Sequence, residues 1–421
     1  MSDGFCAHDY ARHLGERGTR GPDLLSLHVH MPDHGSPCAD GTRISPATVR
    51  CESGTRFLDA LERELDLVGE HLGARPAAGG LHLGGGTPTR LDGAGLARLM
   101  HAFEARFDLH ARAERTIEID PRRVDVRHVA HLGELGFHRL RLDVRLPAPH
   151  TRQAIDGSGA LAMTRTIIDC ARGVGVHAVD VELACDLSHR NAPGVVAMLD
   201  RIVALQPERI VLVDVTGTVG GDACDARPSV GADARERLRR AGYVAIGLDH
   251  FAVPEDELAV AYRNGRLHRD IRGFTTRPDR DLLAFGPGAI SDLHDCMAQN
   301  EPASDVWIHR IEAGGLPIAR GLVRTPDDLL RSRLIQSLLC TGRIDIGSLE
   351  IDWLIDFRAL FADELARLER FVADGLVLMD DESIEMTTTG RERALQTISA
   401  VFDRRGRGTV PRNGFPYPSC P

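Results

Sequence analysis

His28 and His30 lie two residues apart in the apolar run LLSLHVH (24–30), so in an extended strand both rings leave the same face. Histidines placed this way can ligate a metal or carry a proton, or they can be satisfied structural groups. His34 and Cys38 follow shortly afterwards, and the four side chains form a nitrogen and sulfur donor set of the kind zinc takes. A second group is LHLGGGTPT (81–89). Its glycines Gly84, Gly85 and Gly86, followed by Thr87, let a backbone turn approach a ligand closely. A tight strand-to-helix turn with no ligand uses the same residues. Glu118 stands between Ile117 and Ile119 near the end of RTIEID (115–120), facing away from the apolar side. The C-terminal ends of strands form the functional rim of a parallel barrel. Arg139, Arg141 and Arg145 share one face of the next run, where they suit the carboxylates of a ligand or of neighbouring helices.

These groups need a framework that brings strand ends together. The strand-like runs are 24–30, 80–85, 115–120, 139–144, 177–184, 209–215 and 244–250. Between them, helical spacing predicts helices over 57–72, 92–107, 124–135, 157–174, 193–205 and 232–241. Such alternation implies parallel strands joined by right-handed crossovers. A doubly wound sheet and a full or partial TIM-type barrel both satisfy it.

Past residue 300 the pattern changes. Thr325-Pro326-Asp327-Asp328 joins a cap, a first-turn proline and acids at the positive end of the dipole, and predicts a helix start. A helix over 359–373 then runs into Asp374-Gly375. A two-stranded hairpin (375–387) and a helix opened by Thr389-Gly390 follow. The chain thus divides into a short N-terminal arm (1–23), an α/β body (24–300) and a C-terminal helical domain (301–421) with a winged-helix-like wing. The wing carries Asp380, Asp381, Glu382 and Glu385, which argues against DNA.

The 421 residues are 43% hydrophobic and 27% charged, with a net charge of −10. That balance disfavours nucleic acid and anionic membranes as partners. No apolar run is long enough to span a bilayer and no signal-peptide core opens the chain, so a cytoplasmic protein, monomeric, is expected. The nine cysteines are scattered, several within apolar runs, which suits reduced thiols better than a disulfide framework.

Five stretches, taken in order, resemble the oxygen-independent coproporphyrinogen III oxidase family of the radical S-adenosylmethionine superfamily. They are LSLHVHMP (25–32), LHLGGGTPT (81–89), IEIDP (117–121), DHFAVPEDELAVAYRNGRLHRDIRGFTT (249–276), and DLLAFGPGAIS (281–291) with CMAQN (296–300). The resemblance implies a partial (β/α) barrel of parallel strands with a C-terminal helical domain. It also implies S-adenosylmethionine and a [4Fe–4S] cluster as cofactors, and oxidative decarboxylation of coproporphyrinogen III to protoporphyrinogen IX. On this resemblance His30 matches a histidine beside the cluster, and His28 replaces a tyrosine that contacts the cofactor. The turn Gly84-Gly85-Gly86-Thr87 would meet the amino end of S-adenosylmethionine, and Glu118 would accept from its ribose. Glu182 replaces a ribose-contacting aspartate, Arg145 a cofactor-contacting glutamine and Gly157 a cofactor-contacting arginine.

The family pattern then breaks. Its members hold the cluster with cysteines spaced C-x3-C-x2-C after the first strand. Aligned on Pro32, those positions here are His34, Cys38 and Gly41. The expected protein is therefore a degenerate paralogue without the [4Fe–4S] cluster, keeping a pocket for a tetrapyrrole or S-adenosylmethionine. An active oxidoreductase with a rearranged cluster is one alternative. A barrel with zinc held by His28, His30, His34 and Cys38 is another. Segment 31–46 is poor in apolar anchors and is expected to be loosely held, with Cys38 reactive.

Overall fold

The computed structural model describes residues 4–19, 24–31, 54–73, 75–145, 158–185, 193–214, 232–277 and 281–403. Helix α1 (Ala7–Thr19) precedes the first strand, β1 (Leu25–His30). Strand and helix then alternate: α2 (Gly54–Leu72), β2 (Ala77–Gly84), α3 (Gly93–Arg106), β3 (Asp108–Ile119), α4 (Val126–Glu134), β4 (Arg139–Arg145), α5 (Ser158–Gly173), β5 (Ala178–Cys185), α6 (Pro193–Val203), β6 (Arg209–Asp214) and α7 (Ala232–Arg240). All six predicted crossover helices form within a few residues of their expected bounds. Strands β1 to β6 pair in sequence, all parallel.

The side-chain period of two sorts each strand into two faces. Leu27, Val29, Leu81, Leu83, Ile117, Ile119, Leu140, Leu142, Val179 and Val181 join one apolar core with Leu61, Leu65, Leu99, Phe103, Val129 and Leu132 of the helices. Fully burying each such side chain contributes about 1.5–3 kcal/mol. The opposite, inner face carries His28, His30, His82, Glu118, Arg139, Arg141, Asp180 and Glu182. Ladder pairing sets His28 beside His82 and Glu118 beside Arg141, with Asp180 next. A helix-covered apolar face and a polar inner face are what a partial barrel requires.

The run 244–250 departs from expectation. It is not a seventh parallel strand but the first arm of a hairpin, β7 (Val244–Gly247) and β8 (His250–Ala252), with β8 antiparallel to β6. Leu248 and Asp249 both have positive φ (43° and 66°), the conformation of a two-residue turn whose twist matches its strands. Helix α8 (Glu257–Arg263) and a separate hairpin, β9 (His268–Asp270) with β10 (Gly273–Thr275), follow. Strand β11 (Leu282–Phe285) returns to lie parallel to β1 on its other side. Strands β12 (Ile290–Asp292) and β13 (Cys296–Asn300), helix α9 (Ser304–Glu312) and strand β14 (Ile318–Val323) complete a twelve-stranded sheet. The seam expected at residue 300 thus lies just after β13, one helix and one strand before the sheet ends.

Helix α10 (Pro326–Cys340) starts where predicted, in a capping box in which Thr325 Oγ1 accepts from the Asp328 N–H at 3.2 Å and Asp328 accepts from the Thr325 N–H at 3.0 Å. Beyond it come β15 (Arg343–Asp345), α11 (Ile346–Trp353), α12 (Phe357–Leu360), α13 (Ala362–Ala373), β16 (Val377–Met379), β17 (Ser383–Met386), α14 (Thr388–Arg393) and α15 (Leu395–Ser399). The predicted helix 359–373 breaks at Phe361, which packs between Phe357 and Phe402. The wing has three strands rather than two, because β15 pairs with β17. Helix α14 is capped by Thr387, two residues before the expected opening. A second apolar core built from Leu334, Leu338, Phe357, Phe361, Leu368 and Phe402 takes in Ile246, Leu258 and Phe274, joining this region to the β7–β10 segment.

Candidate functional site

At the C-terminal ends of β1, β2 and β3 the inner face holds His28, His30, His82 and Glu118 beside the glycine turn. His28 is 2% exposed; its ring stacks on His82 with centroids 5.2 Å apart and lies 6.3 Å from His30. Burial, then the charges of His82, His30 and Arg272, keep His28 well below the usual imidazole range, so it is neutral at pH 7. Neither of its ring nitrogens has a partner in hydrogen-bond geometry among the described residues, and the nearby His82 backbone only partly offsets the lowering. His30 lies 2.6 Å through Nδ1 from the Pro287 carbonyl. A carbonyl only accepts, so Nδ1 carries the proton and Nε2 is left as a buried lone pair with no hydrogen-bond partner among the described residues. Burial lowers this imidazole too.

Gly85 shows why the glycine turn is needed. Its φ is +86°, and a Cβ there would run into the His30 ring. The Gly85 N–H donates to Glu118 Oε2 at 3.0 Å, while His82 Nε2 donates to Glu118 Oε1 at 3.0 Å. Arg141 Nη1 approaches the same oxygen at 3.4 Å. Burial pushes the Glu118 carboxyl up, but the His82 hydrogen bond, the Arg141 charge and the Gly85 N–H prevail and hold it at about 2. Gly86 and Thr87 are half-buried at the start of a short 3-10 turn in which the Thr87 side chain caps nothing.

Deeper along the same face, Arg139 Nη1 donates to Asp180 at 2.7 Å and Arg209 Nε to Asp256 at 3.0 Å, with Glu114 and Glu257 beside them. Arg139 and Arg141 are therefore turned to protein carboxylates, from strands as well as from the start of α8. Glu182 faces the Arg141 charge from β5. Arg145 ends β4, paired in the ladder with Ala184; its side chain lies outside the described residues. So do His34, Cys38, Gly41 and Gly157, and all of segment 31–46 except the buried Met31. Among the described residues, His28 and His30 belong to no group of three convergent metal-ligand atoms.

Several positioning residues carried no role in the sequence reading. Glu64 of α2, 1% exposed, accepts from the Gly286 N–H at 2.8 Å and from Asn300 Nδ2. Asn300 also donates to the Gly286 carbonyl at 2.8 Å. These bonds hold the loop whose Pro287 carbonyl orients His30. Gly286 has φ +99° and a Cβ there would overlap the His30 carbonyl. An acid spaced three and four residues from Leu61 and Val68 was a legible signal, since that stripe of α2 is buried. His82 was legible as the inward neighbour of His28. His250 was not: a hairpin brings it inward, where burial and the charges of Arg269, Arg141 and Arg209 push it down to about 4.

No protein-family model matches the chain. The oxygen-independent coproporphyrinogen III oxidase of Escherichia coli K12 is 33% identical over 396 residues, spanning 90% of this chain and 85% of that protein. The chain belongs to the oxygen-independent coproporphyrinogen III oxidase family. The family enzyme of Pseudomonas aeruginosa is 33% identical over 394 residues, again across 90% of this chain and 85% of the relative. The solved coproporphyrinogen III oxidase of Escherichia coli, described as a radical SAM enzyme, superposes with a TM-score of 0.83 at 31% identity, covering 96% of this chain and 95% of that one. Family membership and the partial-barrel fold with its C-terminal helical domain are thus as the resemblance implied. Among the described residues no helix is long and apolar enough to cross a membrane.

Proposed function

We propose that this member of the family has given up the radical reaction and serves as a binding or regulatory protein of haem metabolism, taking a tetrapyrrole or S-adenosylmethionine in the barrel. The observation that carries this reading is the donor set after β1. His34, Cys38 and Gly41 stand where the family places three cluster cysteines. Histidine ligates iron in some clusters, but glycine offers no side-chain donor. These residues do not fit a [4Fe–4S] cluster, and no step is derived through one. The inner face does fit a polar ligand. His28 Nδ1 and Nε2 and His30 Nε2 are buried without hydrogen-bond partners among the described residues. Each unpaired buried polar atom costs about 1–3 kcal/mol, which a ligand can offset. Glu118 is already held by three donors, so a ribose diol must compete with Arg141, the longest of the three contacts.

Iron and acid-labile sulfide analysis of anaerobically purified protein tests the first half of the proposal; neither is expected. Roughly four of each per chain, the content of one [4Fe–4S] cluster, would overturn it. It would favour instead an active decarboxylating oxidoreductase, the reading that similarity to named oxidases supports. Calorimetric titration with S-adenosylmethionine and absorbance titration with coproporphyrin test the second half. Saturable binding of one of them is expected, and failure of both would reject the ligand assignment.

A further inference from the structure

The β13–β14 side of the sheet is covered by α1, whose inward stripe is Tyr10, His13, Leu14 and Arg17. Facing it is the turn from β12 to β13, which carries Asp295 and Cys296. One ligand atom each from His13, Asp295 and Cys296 lies within 4.8 Å of the other two. The His13 ring is 4% exposed. Its Nδ1 stands 3.2 Å from Asp295 Oδ2 and 3.8 Å from Glu16 Oε2, yet makes no hydrogen bond among the described residues.

We propose that His13, Asp295 and Cys296 form a binding site for a zinc-class divalent cation that ties the N-terminal helix to the sheet. Tetrahedral zinc with bonds of about 2.0–2.3 Å spaces its ligand atoms about 3.3–3.6 Å apart, and the 3.2 Å His13–Asp295 contact lies close to that spacing. Imidazole and thiolate together select zinc over magnesium or calcium. Charge also favours the site: Zn²⁺ with one thiolate, one carboxylate and a neutral imidazole sums to zero, which suits a buried seam. Asp281 pairs with Arg17, Asp292 with Arg324 and Glu16 with Arg12. Glu16, one helical turn from His13, stands nearest the fourth position.

Binding forms the metal–sulfur bond as the Cys296 thiol releases its proton to solvent. It also moves the His13 proton to Nε2, which now lies 3.3 Å from Arg12 Nη2. Arg12 must swing outward, which its half-exposed side chain allows. Without metal, burial and the acidic neighbours keep the thiol protonated. The cation would cross-link segments that are far apart in sequence, and its effect on stability would follow mass action.

The test uses the full chain, stripped with chelator and titrated with Co²⁺ and then Zn²⁺. One cobalt per chain is expected, with a thiolate-to-cobalt charge-transfer band in the near ultraviolet, displacement by zinc, and release of about one proton per Zn²⁺ at neutral pH. Cys296→Ser should abolish the band, and His13→Ala or Asp295→Asn should weaken binding at least tenfold. Cys38→Ala should leave both intact. No stoichiometric cobalt binding by the wild-type chain would overturn the proposal. So would a band that survives Cys296→Ser or disappears in Cys38→Ala. Should Cys296→Ser not fold, Asp295→Asn with unchanged affinity overturns it equally.

Discussion

Glu64→Gln isolates one buried proton. Burial pushes the Glu64 carboxyl from 4.5 up to about 8, against the hydrogen bonds from Gly286 and Asn300. Between those values the native state keeps a proton that the unfolded chain has released. Stability therefore falls as pH rises, by about 1.4 kcal/mol per unit. His28, His30 and His250 act with the opposite sign, because burial keeps them neutral while unfolded imidazoles take up protons below 6.5. Their contribution to stability rises with pH up to 6.5 and is level above it. In the window from 6.5 to 8 Glu64 is thus worth about 2 kcal/mol, and the same-sign share of His131, raised by its Gly93 and Glu134 hydrogen bonds, is common to wild type and variant. Glutamine keeps the volume and removes the titration; its amide faces the Asn300 amide, which adds a cost that does not vary with pH. Urea unfolding across this window should show the wild type losing about 2 kcal/mol relative to the variant. Wild-type and variant curves that run parallel would refute the assignment.

Other consequences follow from the inner face. Arg139→Ala leaves Asp180 and Asp256 short of a buried cation and should cost about 3 kcal/mol in chemical denaturation; a loss under about 1 kcal/mol would mean that Arg209 alone neutralises both acids. Gly85→Ala places a Cβ against the His30 ring at positive φ, with a cost of about 1–3 kcal/mol. Nitrogen-15 shifts of His30 should then report a weakened Nδ1–Pro287 bond, and unchanged shifts would show that the ring is held elsewhere. The double variant His34→Cys, Gly41→Cys restores the family's ligand spacing and should take up iron and sulfide on anaerobic reconstitution where the wild type does not. Failure would place the defect beyond ligand identity.

Local rules made much of this protein legible from its residues. The crossover helices follow from apolar spacing, the α10 start from Thr325 and Asp328, and the two faces of β1 to β5 from strict alternation. The proposal that a cluster ligand is missing after β1 rests on sequence alone, because glycine offers no side-chain donor whatever the fold. Other features depended on partners distant in the chain. The run 244–250 has the composition of a buried strand, yet left-handed Leu248 and Asp249 fold it back as a hairpin, and pairing with β6 made it antiparallel. β15 is three residues long and exists because β17 lies beside it. Arg139 and Arg141 alternate as a ligand-binding strand would, but their side chains meet Asp180 and Glu118, and a charge neutralised inside the protein has little left for a substrate. Glu64 and Asn300 are far apart in sequence and act as one group only where α2 crosses β13 and the Gly286 loop. Periodicity states which face a side chain leaves; only the closed structure decides which charge it meets there.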